Sequence, residues 1–297
     1  NNIGLKFAFR STDINEIKAL LRRHGFRFSK SLGQNFLTAD WVPQRIAESA
    51  GLDAGTGVLE VGPGIGCLTA ALSEQAGSVV SVELDKALKP VLEETLAGRE
   101  NVEIIFADLL KLNLKELAAE KFPGLRPVVC ANLPYNVTSP LLTAFIEADC
   151  FESVTVMVQR EVAKRICAPA GAADYGAFGI FVQWHMEAEL LFEVPPSCFI
   201  PQPRVTSAVI HLRRRRSPPV DVKNEKLMFR IIRAAFNQRR KTLVNAVCSN
   251  FGNITKEQME KTLEKCGFDT KIRGEALDIV GFAKIADEMD DIKASDL

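Results

Sequence analysis

The run Asn132-Leu133-Pro134-Tyr135-Asn136 sets an amide, a rigid turn and an aromatic ring directly after an apolar run, PVVCA (127–131). If that run is a buried strand, Asn132 stands at its carboxyl end. Pro134 then fixes the chain direction and can aim the Leu133 carbonyl beside the Asn132 amide oxygen. Two neutral acceptors converging on one point would hold an exocyclic NH2 and orient its nitrogen lone pair, while Tyr135 offers a ring on which a base can stack. Taken alone, Asn-x-Pro reads more simply as a turn whose side chain bonds its own backbone.

A second constellation changes that balance. LEVGPGIGCLT (59–69) places Gly62, Gly64 and Gly66 where a strand would turn into a helix, so that the backbone can pass close to a ligand. The spacing is G-x-G-x-G and not the G-x-G-x-x-G of dinucleotide sites, which disfavours pyrophosphate binding and makes a nicotinamide dehydrogenase the weaker reading. Glu83 follows about 20 residues later at the end of the next strand, where a carboxylate can accept from both hydroxyls of a ribose. Asp108, in FADLLKL, could be a ligand contact or simply the N-cap of the next helix. Together these features suggest a nucleoside without a pyrophosphate, sharing one sheet edge with the NLPY turn.

The chemistry that suits such an edge is group transfer to a ring-conjugated amine. Its lone pair is delocalised, and attack makes the nitrogen tetrahedral and transiently positive, a charge that oxygen acceptors stabilise. An already activated donor such as a sulfonium leaves alignment to supply most of the acceleration. No general base is demanded, and the turn contains none.

The elements that must position these residues follow from periodicity. Short apolar runs GVLEV, SVVSVEL, VEIIF, PVVCA and SVTVMV alternate with segments long enough for helices, which predicts an α/β fold with a mostly parallel sheet covered on both faces. WHMEAELLF and VTSAVIHL, joined by a proline-rich stretch, are expected as two further strands, an antiparallel pair at one edge. Ahead of the sheet, Thr12 and Asp13 can cap a helix carrying Ile14, Ile17, Leu20 and Leu21 that ends at Gly25, and a second helix runs from Asp40 to Gly51 with Ile46 and Ala47 inward. After SPP (217–219) only helices are expected: Asn224 to Asn250, one opened by the capping box Thr255 and Gln258 and closed at Gly267, and one from Gly274. The domains are therefore read as 1–216 and 217–297.

The chain's 297 residues and 47% hydrophobic content can fill one full core and a smaller neighbour. Its seven cysteines lack any metal-ligand or disulfide spacing, so reduced thiols and no metal are expected. No apolar run reaches the roughly 20 residues of a membrane span, and no signal-peptide pattern opens the sequence, which points to a cytoplasmic protein. The formal net charge is zero, yet basic residues cluster at Arg22, Arg23, Arg27 and Lys30, at Arg213 to Arg216, and at Arg239, Arg240 and Lys241. One such run is usually a solvated face; several raise the expectation of a polyanionic partner. Acid concentrates in DEMDD (287–291).

The sequence resembles the ribosomal RNA adenine N6,N6-dimethyltransferase family. The matching motifs are SLGQNFL (31–37), LEVGPGIGCLT, VELD (82–85), ADLLK (107–111), NLPYNVTSPLL (132–142), VMVQREVAKRI (156–166), FIPQPRVTSAVI (199–210) and FNQRRKTLVNA (236–246). The resemblance implies a Rossmann-like class I methyltransferase domain with a small C-terminal helical domain, and S-adenosyl-L-methionine as cofactor. It assigns Gln34, Asn35, Leu37, Gly62, Gly64, Glu83, Asp108 and Asn132 to the cofactor. Asn132, Leu133, Pro134 and Tyr135 would form the catalytic turn, with Phe199 as a second aromatic wall for a flipped target base. Arg213, Arg214, Arg239, Arg240 and Lys241 are the expected RNA contacts.

Two branches of the family share this catalytic domain. FNQRRKTLVNA looks like the branch that dimethylates two adjacent adenosines in a hairpin loop near the 3′ end of small-subunit rRNA and serves small-subunit biogenesis. The expected partner is then small-subunit rRNA or a pre-assembled small subunit, met by a monomer. The alternatives are the large-subunit branch, which confers antibiotic resistance, and a ribosome-assembly binding factor whose methylation is secondary. Leu133, more flexible than a second proline, is expected to leave room for an amine that already carries one methyl.

Overall fold

The computed structural model describes residues 13–295, with side chains through 292; the expected cap Thr12 lies outside them. Contacts divide the chain into two compact units. One runs through Ala163 and resumes over Ala188–Arg214; the other comprises Lys164–Glu187 and everything from Arg215.

In the first unit, α1 (Ile14–Arg23) opens at Asp13, whose carboxylate accepts the Asn15 N–H at 2.8 Å, and is followed by Gly25 at φ +64°. Ile17, Leu20 and Leu21 are buried against Phe36, Ile65, Leu88 and Leu92. That burial contributes on the order of 2 kcal/mol per side chain, which holds a helix too short to persist alone. Ile14, expected on the same apolar stripe, stays 43% exposed. After β1 (Phe36–Leu37), α2 (Trp41–Ser49) buries Ile46 and Ala47 as expected.

The sheet then builds in order: β2 (Thr56–Val61), α3 (Cys67–Ser73), β3 (Ser78–Glu83), α4 (Lys89–Thr95), β4 (Val102–Phe106), α5 (Leu114–Lys121), β5 (Arg126–Asn132), α6 (Thr138–Glu147) and β6 (Ser153–Gln159). These five strands are the predicted apolar runs, and all their pairings are parallel. Next come α7 (Arg160–Cys167), α8 (Ala177–His185), β7 (Met186–Val194), β8 (Phe199–Ile200) and β9 (Ser207–Arg214). The sheet order is β4-β3-β2-β5-β6-β9-β7, with β9 antiparallel to β6 and β7 at the edge. The first two residues of WHMEAELLF belong to α8 instead of a strand, because Trp184 is drawn into a helical core. A separate ribbon, absent from the sequence reading, pairs Leu37 of β1 with Phe199 of β8.

The second unit holds α9 (Glu225–Asn237), α10 (Leu243–Asn250), α11 (Lys256–Lys265) and α12 (Ile279–Ser295), packed with α8 around Trp184, Met228, Ile232, Val247 and Phe282. Residues 164–187 thus fold with the C-terminal helices, so this unit is discontinuous in sequence and differs from a simple division at 216. The expected single helix over 224–250 is two: Gln238 leaves helical geometry and Thr242 caps a new start by accepting the Asn245 N–H at 3.3 Å. The Thr255/Gln258 capping box forms, whereas the last helix begins at Ile279 after a single 3-10 turn at Gly274–Ala276. DEMDD lies within α12, where Asp287, Asp290 and Asp291 accept from Lys223 and Asn224 at 2.8 to 3.0 Å; it is helix surface and not a free acidic tail. No helix among the described residues is long and apolar enough to cross a membrane.

Candidate cofactor cavity and catalytic turn

A cavity of about 340 Å³ opens at the carboxyl ends of β2, β3, β4 and β5. The glycine turn forms one wall. Gly62 (φ +67°) donates its N–H to the Val82 carbonyl at 3.0 Å, which ties the turn to β3. Gly64 (φ +59°) lies so close to Phe36 that a Cβ there would come within 2.9 Å of the ring.

Glu83 ends β3 on the cavity wall, 6% exposed, and accepts the Asp85 N–H at 2.8 Å. Burial pushes its carboxyl up to about 7, against the hydrogen bonds from Asp85 and Gly64, which favour the anion. A second acid, Glu60 on β2, was not picked out by the sequence reading. It is 1% exposed, lines the same cavity, and accepts from the hydroxyls of Thr69 and Ser81; burial raises it, too, to about 7. Its signal was present: a lone acid inside the apolar run GVLEV, on a strand buried throughout. Asp108 caps the following 3-10 turn, its Oδ1 accepting the Leu110 N–H at 3.1 Å, and the residue also borders the cavity. Among the described residues that line the cavity none is Lys, Arg or His, so its charged groups are all acidic. Such walls repel phosphate and suit a cationic or hydroxyl-rich ligand.

The NLPY turn closes the opposite side. Asn132 Nδ2 donates to the Asn35 carbonyl at 3.3 Å, so the acceptor oxygen is the part of its amide not engaged there. Leu133, 1% exposed, donates its N–H to Met157 O on β6 at 3.1 Å, and the Pro134 carbonyl accepts the Thr138 hydroxyl at 3.0 Å. The turn is therefore pinned from three directions. Tyr135 lines the cavity half-buried, its hydroxyl hydrogen-bonded to Ser207 Oγ, and burial raises its phenol.

The GQNFL segment spans the two walls. Asn35, which donates to the Gly33 carbonyl at 3.2 Å, and Leu37 both border the cavity. Gln34 is used at both ends: Oε1 accepts the Ser29 N–H and Nε2 donates to Asp85, each at 2.8 Å, so its side chain is a strut between segments. Asn136 Nδ2 donates to Ser31 O at 3.3 Å.

The remaining expected residues fall elsewhere. Phe199 is 2% exposed, sits in the core beneath α2, and offers no face to the cavity as it stands. Arg214 spends its guanidinium on the carbonyls of Phe145, Ile146 and Phe151 and on Asp149, closing the end of α6. Arg239 bonds Glu275 at 2.9 Å and Ala173 O at 2.8 Å. Both are structural braces here, a use that a run of arginines in a sequence cannot disclose. Arg213, Arg240 and Lys241 have exposed side chains.

The glycine turn, the buried Glu83 and the NLPY turn meet at one edge of this mostly parallel sheet, the layout of a Rossmann-like methyltransferase fold. Residues 25–287 match the family described as ribosomal RNA adenine dimethylase, and the chain belongs to that family. It is 44% identical to the ribosomal RNA small subunit methyltransferase A of Geobacillus thermodenitrificans over 92% of this chain and 94% of that one. The Streptococcus gordonii protein of the same name is 43% identical over 94% and 98%. Among solved structures, the 23S rRNA methyltransferase ErmE superposes with a TM-score of 0.67 at 26% identity, covering 86% of this chain and all of that one. A dimethyladenosine transferase from Plasmodium falciparum shares the fold, with a TM-score of 0.70 at 24% identity over 84% and 95%.

Proposed function

We propose that this dimethyltransferase uses S-adenosyl-L-methionine to convert two adjacent adenosines, in a hairpin loop near the 3′ end of small-subunit rRNA, to their N6,N6-dimethyl forms. The reading includes a monomeric protein working in the cytoplasm on the small subunit or its rRNA. The observation that carries the cofactor is the all-acidic cavity, which suits a ligand bearing a sulfonium and an ammonium and no phosphate. In this reading Glu83, which lines the cavity, takes the ribose hydroxyls, Asp108 and the neighbouring loop take the base, and Asn35 and Leu37 close over the ligand. When bound, that cofactor supplies a methyl group on a positively charged sulfur.

The chain's own work is to present the amine. Asn132, its nitrogen tied to Asn35, turns its oxygen towards the N6 amine, and the Leu133 carbonyl is the second acceptor. Together they stabilise positive charge developing on nitrogen without taking a proton in advance. Tyr135 stacks on the flipped base, which returns about 1 to 3 kcal/mol of the unstacking cost.

The small-subunit target rests on the relatives with 43–44% identity across nearly the whole chain, against 26% for the 23S enzyme. The test is to offer labelled cofactor with isolated small particles, large particles and naked rRNA, and to map the modified bases. Two adjacent dimethyladenosines in small-subunit rRNA are expected. Label confined to large-subunit rRNA would overturn the assignment.

A further inference from the structure

Residues 22–31, RRHGFRFSKS, carry four Arg or Lys residues and no acid, in a chain whose formal net charge is zero. Arg23 is paired with Glu94, but Arg22, Arg27 and Lys30 are exposed and make no ion pair among the described residues. Between them Phe28 packs on Phe26 and Phe36, with ring centroids 5.6 and 5.2 Å apart, yet remains 38% exposed. Phe36 in turn rests on Gly64, so the rings form a column from the surface to the glycine turn.

This strap is held in place before any partner arrives. Ser29 N–H bonds Gln34, Gln34 bonds Asp85, and Asp85 N–H bonds Glu83, each at 2.8 Å. Ser31, at its far end, accepts from Asn136 of the catalytic turn. Phe28 is three residues from Ser31, at most about 11 Å of extended chain. Cations beside an exposed, pre-packed ring are what a single-stranded nucleic acid uses: phosphates on the charges, a base on the ring.

We infer that the strap is an RNA-docking face, with Arg22, Arg27 and Lys30 on the backbone flanking the target adenosine and Phe28 under an unpaired neighbouring base. This rests on the proposed reaction, since it names where that substrate enters. It adds a recognition element that precedes the sheet in the chain.

The test measures binding of a labelled hairpin oligoribonucleotide with two adjacent loop adenosines, and of isolated small ribosomal particles, at several salt concentrations. Arg27→Ala/Lys30→Ala should lower the slope of log affinity against log salt by about 1.4. Phe28→Ala should weaken binding about tenfold and Phe28→Trp should keep it. S-adenosyl-L-methionine affinity by calorimetry should stay within about twofold in the charge variant. Unchanged slopes and affinities would overturn the docking face, as would equal binding of polyglutamate, which would mark an acidic protein partner. Wild-type binding without methyl transfer would instead remove the proposed reaction while the slopes still judge the strap.

Discussion

Asn132 Nδ2 donates to the backbone carbonyl of Asn35, two residues 97 positions apart in the chain. The bond ties the NLPY turn to the GQNFL segment and leaves the Asn132 amide oxygen, under the proposed mechanism, as the end that would serve the substrate. Asn132→Ala should cost at least about 100-fold in turnover, the scale of a lost transition-state acceptor. Cofactor affinity should fall only a few-fold, because the Asn35 tether goes with it. Near-normal single-turnover methylation would sink the acceptor mechanism.

Glu83 and Glu60, both raised to about 7 by burial, give binding a pH dependence of definite sign. A cationic ligand favours the anions, lowers their pKa values and so releases protons. Affinity for S-adenosyl-L-methionine should therefore climb as pH rises towards 7, by no more than about tenfold per pH unit for each group, and level off above 7. Calorimetry in buffers of different ionisation enthalpy should detect the released proton, and Glu83→Gln should remove part of it. A flat profile in the wild type would count against ionised acids in the cavity.

The same shifts act on stability in the opposite sense. A carboxyl whose folded pKa lies above its ordinary 4.5 favours folding while protonated, and that advantage is lost as pH rises through 7. Glu60 alone then costs on the order of 3 kcal/mol at pH 8 relative to pH 4, as an upper figure. Glu60→Gln should flatten the melting temperature of the free protein between pH 5 and 8. A melting profile identical to wild type would show the carboxyl to be solvated.

Arg214 and Arg239 are expected to matter for folding before RNA. Arg214→Ala strips hydrogen bonds from three buried carbonyls and should lower stability by roughly 2 kcal/mol, read in denaturant, with the salt slope of RNA binding unchanged. Arg240→Glu with Lys241→Glu should do the reverse. A steep loss of slope in Arg214→Ala would restore it as a phosphate contact.

Leu133→Pro tests the room for a second methyl, but it also deletes the N–H that reaches Met157 O. Leu133→Ala keeps that N–H and widens the site. The dimethyl-to-monomethyl ratio should fall in the proline variant and hold in the alanine variant. An unchanged ratio in both would free Leu133 from any part in product control.

The sheet was readable because five apolar runs of strand length leave few alternatives, and the glycines, Glu83 and Asn132 sit at their ends by simple succession. What stayed hidden depends on partners distant in sequence. Phe199 reads as an exposed wall until its pairing with Leu37 buries it. Arg214 reads as an RNA contact until α6 ends beneath it. Glu60 was overlooked because one acid in an apolar strand looks like noise without Thr69 and Ser81 to account for it. The helix expected over 224–250 was broken by Thr242, whose capping competes with continuation at a spot where hydrophobic spacing alone is indifferent.

The return of residues 164–187 to the helical unit has a practical consequence for dissection. A stop codon after Arg214 would remove four helices but leave behind the stretch that carries Tyr175, Ile180 and Trp184, each at most 3% exposed in the whole protein. Such a fragment would present an orphaned greasy hairpin to solvent and should precipitate, however sound its sheet. A minimal catalytic piece has to be cut at three junctions, with a short splice replacing 164–187, and not trimmed from one end.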